Sequence, residues 1–130
     1  MLSGTTLYIR CDYTPTVGAG HLMRCFAIAE AWSASGGGVV LLGECANEEM
    51  AKSALWRHIA FTARSLQEDL EITRASIDAT SPHVLVVDGY QFDGSYLAGL
   101  AASGRVVLFL DDLGKLPRYP VNVILNQNLS

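Results

Sequence analysis

Two unbroken apolar runs, residues 84–87 and Val106–Leu110, each followed directly by aspartate, constrain this chain more than any other feature. A strand with one wet face alternates apolar and polar residues, so a run without alternation suits a strand covered on both faces. Shorter apolar runs at residues 7–11 and 39–42 repeat the theme, and helical patterns separate them. The first helix is predicted over residues 21–35, with Leu22, Phe26 and Ala29 on its buried face and Gly36, Gly37 and Gly38 stopping it. Asn47 caps a second helix to about Trp56, a short third strand follows at residues 59–62, and Ser65 with Glu68 forms a capping box for a third helix that must finish before Pro82. Asp93 or Ser95 opens a helix ending at Gly104, a proline-containing loop covers residues 113–120, and a last strand falls at residues 123–125. Strands alternating with helices predict an α/β fold, a Rossmann-like doubly wound parallel sheet with right-handed crossovers.

The 130 residues are 50% hydrophobic and 17% charged, enough apolar material for one core and one domain, residues 1–130. A formal net charge of -4 offers no basic field to gather nucleic acid or an acidic membrane surface. The amino terminus has no export-signal pattern and no apolar segment is long enough to span a bilayer, so a cytoplasmic location is expected. Cys11, Cys25 and Cys45 lack CxxC spacing and read as reduced, packed thiols, with no metal site and no cofactor expected.

In an open parallel sheet the ligand crevice lies beyond the carboxyl ends of the strands, which draws attention to Asp12, Asp88, Asp111, Asp112 and Asn126. Each also suits a turn or a helix cap, and for any one of them the structural role leads. A sharper feature is Gly18-Ala19-Gly20-His21-Leu22-Met23-Arg24, where two glycines let the backbone fold closely ahead of a helix whose first amides face outward. Those amides and the helix dipole make a natural anion site, although an ordinary glycine-rich turn has the same residues. Met23 in place of a third glycine argues against a dinucleotide fingerprint, and the missing Lys-Ser/Thr pair argues against a P-loop.

His21 and Arg24 stand one helical turn apart, and Arg24 is positioned to add a charge-assisted contact to an anion. The dipole and Arg24 both disfavour a protonated imidazole, so a neutral His21 able to accept a proton is expected, the condition for a general base. The plainer role is helix capping; the neighbouring glycines and arginine favour catalysis. His58 and His83 lack such company and read as structural or solvent-facing.

In order, Arg10-x-Asp12, Gly18-x-Gly20-His21-x-x-Arg24-Cys25, Val87-Asp88-x-Tyr90-x-x-Asp93, Leu110-Asp111-Asp112-Leu113 and Leu125-Asn126-Gln127-Asn128 resemble the pseudaminic acid biosynthesis UDP-sugar hydrolases and related spore-coat polysaccharide proteins. The resemblance runs from about Leu7 to the end and covers the amino-terminal half of that family's architecture. It implies a fold like B-type glycosyltransferases, with a second, nucleotide-binding domain as the missing partner and a UDP-linked 2,4-diacetamido-2,4,6-trideoxy sugar as substrate. By that analogy His21 activates water for inverting attack at the anomeric carbon, Tyr90 lies near the sugar, and the loop of Gly18 and Gly20 lies beside the diphosphate. Asp12 and Asp88 join the substrate-binding set, and no metal is required. Gly89 departs from the family pattern, which often has a larger polar residue there. Two other readings stay open: the acceptor-binding half of a B-type glycosyltransferase, and a non-catalytic sugar-binding or assembly domain.

Overall fold

A computed structural model describes residues 3–15, 20–102 and 105–110, together with the backbone of residues 123–125. The sheet has six parallel strands: β1 (Thr6–Cys11), β2 (Gly38–Leu42), β3 (Arg57–Ile59), β4 (His83–Asp88), β5 (Val106–Leu110) and β6 (Val123–Leu125), in the order β3-β2-β1-β4-β5-β6. The helices are α1 (Gly20–Ala34), α2 (Glu48–Ala51), α3 (Leu66–Ser76) and α4 (Gly94–Ala101). This is the doubly wound, Rossmann-like arrangement expected, and its strand order reverses between β1 and β4.

Period-two alternation assigns each strand residue to one of two cores. Leu7, Ile9 and Cys11 of β1 pack with Val39, Leu41 and Val86 against α1 through Leu22, Cys25 and Ala29. Tyr8, Val40, Leu42, Leu85, Val87, Val107 and Phe109 face the other way, against Leu70 of α3 and Tyr96, Leu97 and Leu100 of α4. With both faces covered, the central strands are apolar throughout, which is what the uninterrupted runs require.

Two elements differ from expectation. The second helix is a single turn, because Lys52 and Ser53 close it with hydrogen bonds to Glu48 and Met50 and the chain turns inward. Trp56, expected at that helix end, is buried against α1, its indole donating to the Met50 carbonyl (2.8 Å) and its ring edge-on to Phe26. The third strand is Arg57–Ile59, because pairing with β2 in the register Val40↔Arg57, Leu41↔His58, Leu42↔Ile59 ends where Gly43 donates to Ile59. Phe61 and Thr62 therefore leave the sheet. The expected loop 113–120 lies outside the described residues, and no helix among those described is long and apolar enough to cross a membrane.

Caps set the remaining boundaries. Asn47, Ser65 and Asp93 each accept from the backbone amide three residues on, Met50, Glu68 and Tyr96. The reciprocal arm of the Ser65 box goes elsewhere, since the Glu68 carboxylate accepts from the Arg64 amide (3.0 Å). Gly36, at φ 94°, ends α1 in the left-handed conformation that glycine adopts without strain.

Gly43 follows β2 at φ 130°, and a Cβ there would lie 2.6 Å from the Cys11 carbonyl oxygen and 2.5 Å from Asp12 Oδ1. Gly43→Ala is expected to destabilise the fold by about 1–3 kcal/mol through left-handed strain and backbone overlap. A urea-denaturation midpoint unchanged from the wild type would contradict this reading of the β2 end.

Candidate active site

β1 and β4 end level, with Cys11 paired to Asp88, and the carboxyl ends at this reversal point form the natural crevice of such a sheet. Asp88, the last residue of β4, has a side chain with no solvent exposure. An isolated carboxylate is costly to bury, so its partners are imposed by its position. Arg24 donates Nε to Oδ2 (2.7 Å) and Nη2 to Oδ1 (2.5 Å), a two-point clasp. His21 Nδ1 lies 2.5 Å from Oδ1, and the Cys25 thiol donates to Oδ2 (3.5 Å).

These contacts fix the histidine tautomer by acceptor counting. Asp88 serves Arg24 as an acceptor on both oxygens, so the Nδ1 atom facing Oδ1 is the ring's donor, and the neutral imidazole then carries its lone pair on Nε2. Arg24 Nη2 also approaches Nδ1 (3.1 Å), and two donors sharing Oδ1 account for that closeness. Tyr90, which follows β4 and is about half exposed, meets the His21 ring edge-on, centroids 4.6 Å apart. His21 itself is largely buried in the first turn of α1. The arrangement is an aspartate-oriented histidine under an aromatic wall, the geometry of a general base with its orienting partner.

The fold thus brings His21, Arg24, Asp88 and Tyr90 together across sequence separations of more than sixty residues, His21 and Asp88 lying 67 apart. Arg24, read from the sequence as a contact for an anion, clasps Asp88 instead. Gly20 is the first residue of α1, whereas Gly18, Asp111, Asp112 and Asn126 lie outside the described residues. His58 Nε2 donates to the Gly43 carbonyl (2.7 Å) and His83 Nδ1 to that of Ser81 (2.8 Å), contacts of the loop frame. The cysteines are free, and Cys11, Cys25 and Asp88 bring their sulfur and oxygen atoms within 4.8 Å of one another. The Arg24 guanidinium already occupies both Asp88 oxygens, a charge that opposes a cation beside them. The Cys11 thiol, burial and the Asp88 charge push the Cys25 thiol up, which marks it as a packed hydrogen-bond donor and not a nucleophile.

Asp12 belongs to a neighbouring network that the sequence did not reveal. Arg10, only 2% exposed, spends its N–H donors on Asp69 (Nε to Oδ1, 3.0 Å, and Nη2 to Oδ2), on Asp12 (Nη1 to Oδ1, 2.7 Å; Nη2 to Oδ2, 3.1 Å) and on the Leu42 carbonyl (3.3 Å). Its guanidinium lies 4.8 Å from the Phe61 ring centre and 5.2 Å from that of Phe92. Tyr96 (2.6 Å) and Thr73 (3.2 Å) also donate to Asp69 Oδ1. Gln91 Nε2 donates to Asp12 Oδ2 (3.1 Å) and so ties this network to the loop that carries Tyr90.

No protein-family model, curated protein or solved structure matches the chain.

Burial raises the Asp69 carboxyl, but the Arg10 hydrogen bonds and charge, with those of Tyr96 and Thr73, outweigh it and hold the group below its ordinary value of 3.8. A carboxyl depressed in the folded state contributes stability that is present above the unfolded value and lost as pH falls through the folded one. Stability is therefore expected to decline as the solution is acidified below about pH 3.8. Asp69→Asn should lower stability at neutral pH and flatten that acid limb. An acid limb equally steep in both proteins, followed by circular dichroism in urea, would contradict the assignment.

Proposed function

We infer that this chain is the catalytic-base domain of a nucleotide-sugar hydrolase, acting with a second, nucleotide-binding domain. The observation that carries the reading is the His21–Asp88 pair at the start of α1, beside the reversal point of the sheet. The ordered motifs that resemble the UDP-sugar hydrolases supply the substrate class, a UDP-linked 2,4-diacetamido-2,4,6-trideoxy sugar. In that reaction His21 Nε2 takes a proton from water as the water oxygen bonds to the anomeric carbon, and the bond from that carbon to the diphosphate oxygen breaks. The sugar leaves with inverted configuration and UDP departs as the stable anion, which needs little acid assistance. Asp88 holds the ring in register through Nδ1 and stabilises the imidazolium that forms, while Arg24 holds Asp88. The amino end of α1 contributes its positive dipole near the leaving diphosphate. The same base would serve a B-type glycosyltransferase by deprotonating an acceptor hydroxyl, and free reducing sugar formed without acceptor separates the two.

The test joins the chain to a nucleotide-binding domain of the resembled family and follows UDP release from the diacetamido sugar nucleotide. His21→Asn is expected to lower turnover by about 10²–10⁴-fold with little change in KM. Equal turnover in the two proteins would remove His21 from the chemistry.

A further inference from the structure

The geometry points to a second binding surface: a pocket for a single sugar ring, lined by Phe61, Glu44, Gln91 and Ser65 together with Arg10 and Asp12 at the carboxyl end of β1. The cavity has a volume of about 220 Å³ and opens above the carboxyl ends of β1 and β2, beside the start of α3. Drug-sized sites occupy roughly 300–1,000 Å³, so one ring fits here and a nucleoside diphosphate does not.

The chemistry of the lining selects against an anion. Of its two guanidiniums, Arg10 is buried and committed to Asp12 and Asp69, while Arg64 is exposed and pairs with Glu68 at 3.0 and 3.3 Å. The other charged groups in the wall, Asp12, Glu44 and Asp69, are acidic, which leaves the lining one negative charge in excess. A phosphate or carboxylate would face this net negative wall, whose one buried cation, Arg10, is already paired.

A hydroxyl-bearing ring finds what it needs. The exposed Glu44 carboxylate accepts, the exposed Gln91 amide still has its carbonyl oxygen beyond the bond to Asp12, and Ser65 Oγ, which accepts from the Glu68 amide, keeps its own proton to donate. Phe61, half-buried and backed by the Arg10 guanidinium, adds an apolar ring for the C–H face of a pyranose. Acceptors, an amide, a hydroxyl and an aromatic ring in one small cavity are complementary to a neutral sugar. The pocket is also coupled to the base, since Gln91 bonds Asp12 and is the chain neighbour of Tyr90, which stands against His21. His21, Asp88 and Tyr90 do not line the pocket, so it is a subsite for a ring beside the base and not the seat of the reacting carbon, and it stands independently of the proposed reaction.

The pocket is tested without turnover, by amide chemical-shift mapping of the 130-residue chain with N-acetylglucosamine, glucose, UDP-N-acetylglucosamine and uridine monophosphate. The sugars are expected to shift the amides of Glu44, Phe61 and Gln91, and uridine monophosphate to leave them in place. Glu44→Gln, at an exposed position, is expected to weaken N-acetylglucosamine about 5-fold or more, and Phe61→Ala more than that. Shifts with these mutational effects support the pocket whether or not the fused protein hydrolyses anything, so failure of the hydrolase reading is seen separately. No shift with any sugar, shifts mapping elsewhere, uridine monophosphate acting alone, or wild-type affinity in Glu44→Gln overturns it.

Discussion

Asp88 is a carboxylate placed by strand geometry where water does not reach, and much of the surrounding architecture follows from the need to satisfy it. Two oxygens with no solvent must be met by donors from the protein, and the donors come from one turn of α1: His21, Arg24 and Cys25. That convergence fixes how α1 enters over the end of β4, and it fixes the imidazole with it. A buried ion pair of this kind contributes little net stability, and breaking it is costly. Its value here is orientation: a ring whose Nδ1 is held offers its other nitrogen to a ligand in a defined direction.

Arg10 performs the same service one strand over. It lies on β1 between two aspartates, one local and one 59 residues away on α3, and it stacks near two phenylalanines. The network joins α3, through Asp69 and Thr73, to α4 through Tyr96, so the second helical layer is pinned to the sheet by polar contacts as well as by the Leu70–Leu100 core. Burial and the Asp69 carboxylate together push the Tyr96 phenol up, consistent with a hydroxyl kept as a donor. Through Gln91 the rigidity extends to the Tyr90 loop. The crevice is thus bounded on one side by the His21 dyad and on the other by the Arg10 pocket, with Asp12 and Gln91 between.

The fold was legible because its strongest signals are physical necessities. Strands covered on both faces must be apolar throughout, and residues 84–87 and Val106–Leu110 are. Boundaries failed where tertiary contacts decide them: β3 is three residues long and takes its register from β2, and α2 stops early because Trp56 is drawn into the core beneath α1. In the site, the glycines and helix start pointed to His21, but the partner of Arg24 was not readable, since a strand-end aspartate 64 residues away is a matter of crossover topology. Asp69 was invisible for the same reason. It sits on a helix with an ordinary amphipathic pattern, and a buried aspartate at such a position signals a partner only once Arg10 is known to lie beneath it.

Asp88 holds His21 through Nδ1 and leaves Nε2 as the proton-accepting atom. Long-range ¹H–¹⁵N correlation of the His21 ring in its neutral form tests this directly. A protonated Nδ1 and a bare Nε2 are expected, with the tautomer ratio shifting in Asp88→Asn. A ring protonated at Nε2, or one indifferent to the loss of the Asp88 carboxylate, would contradict it.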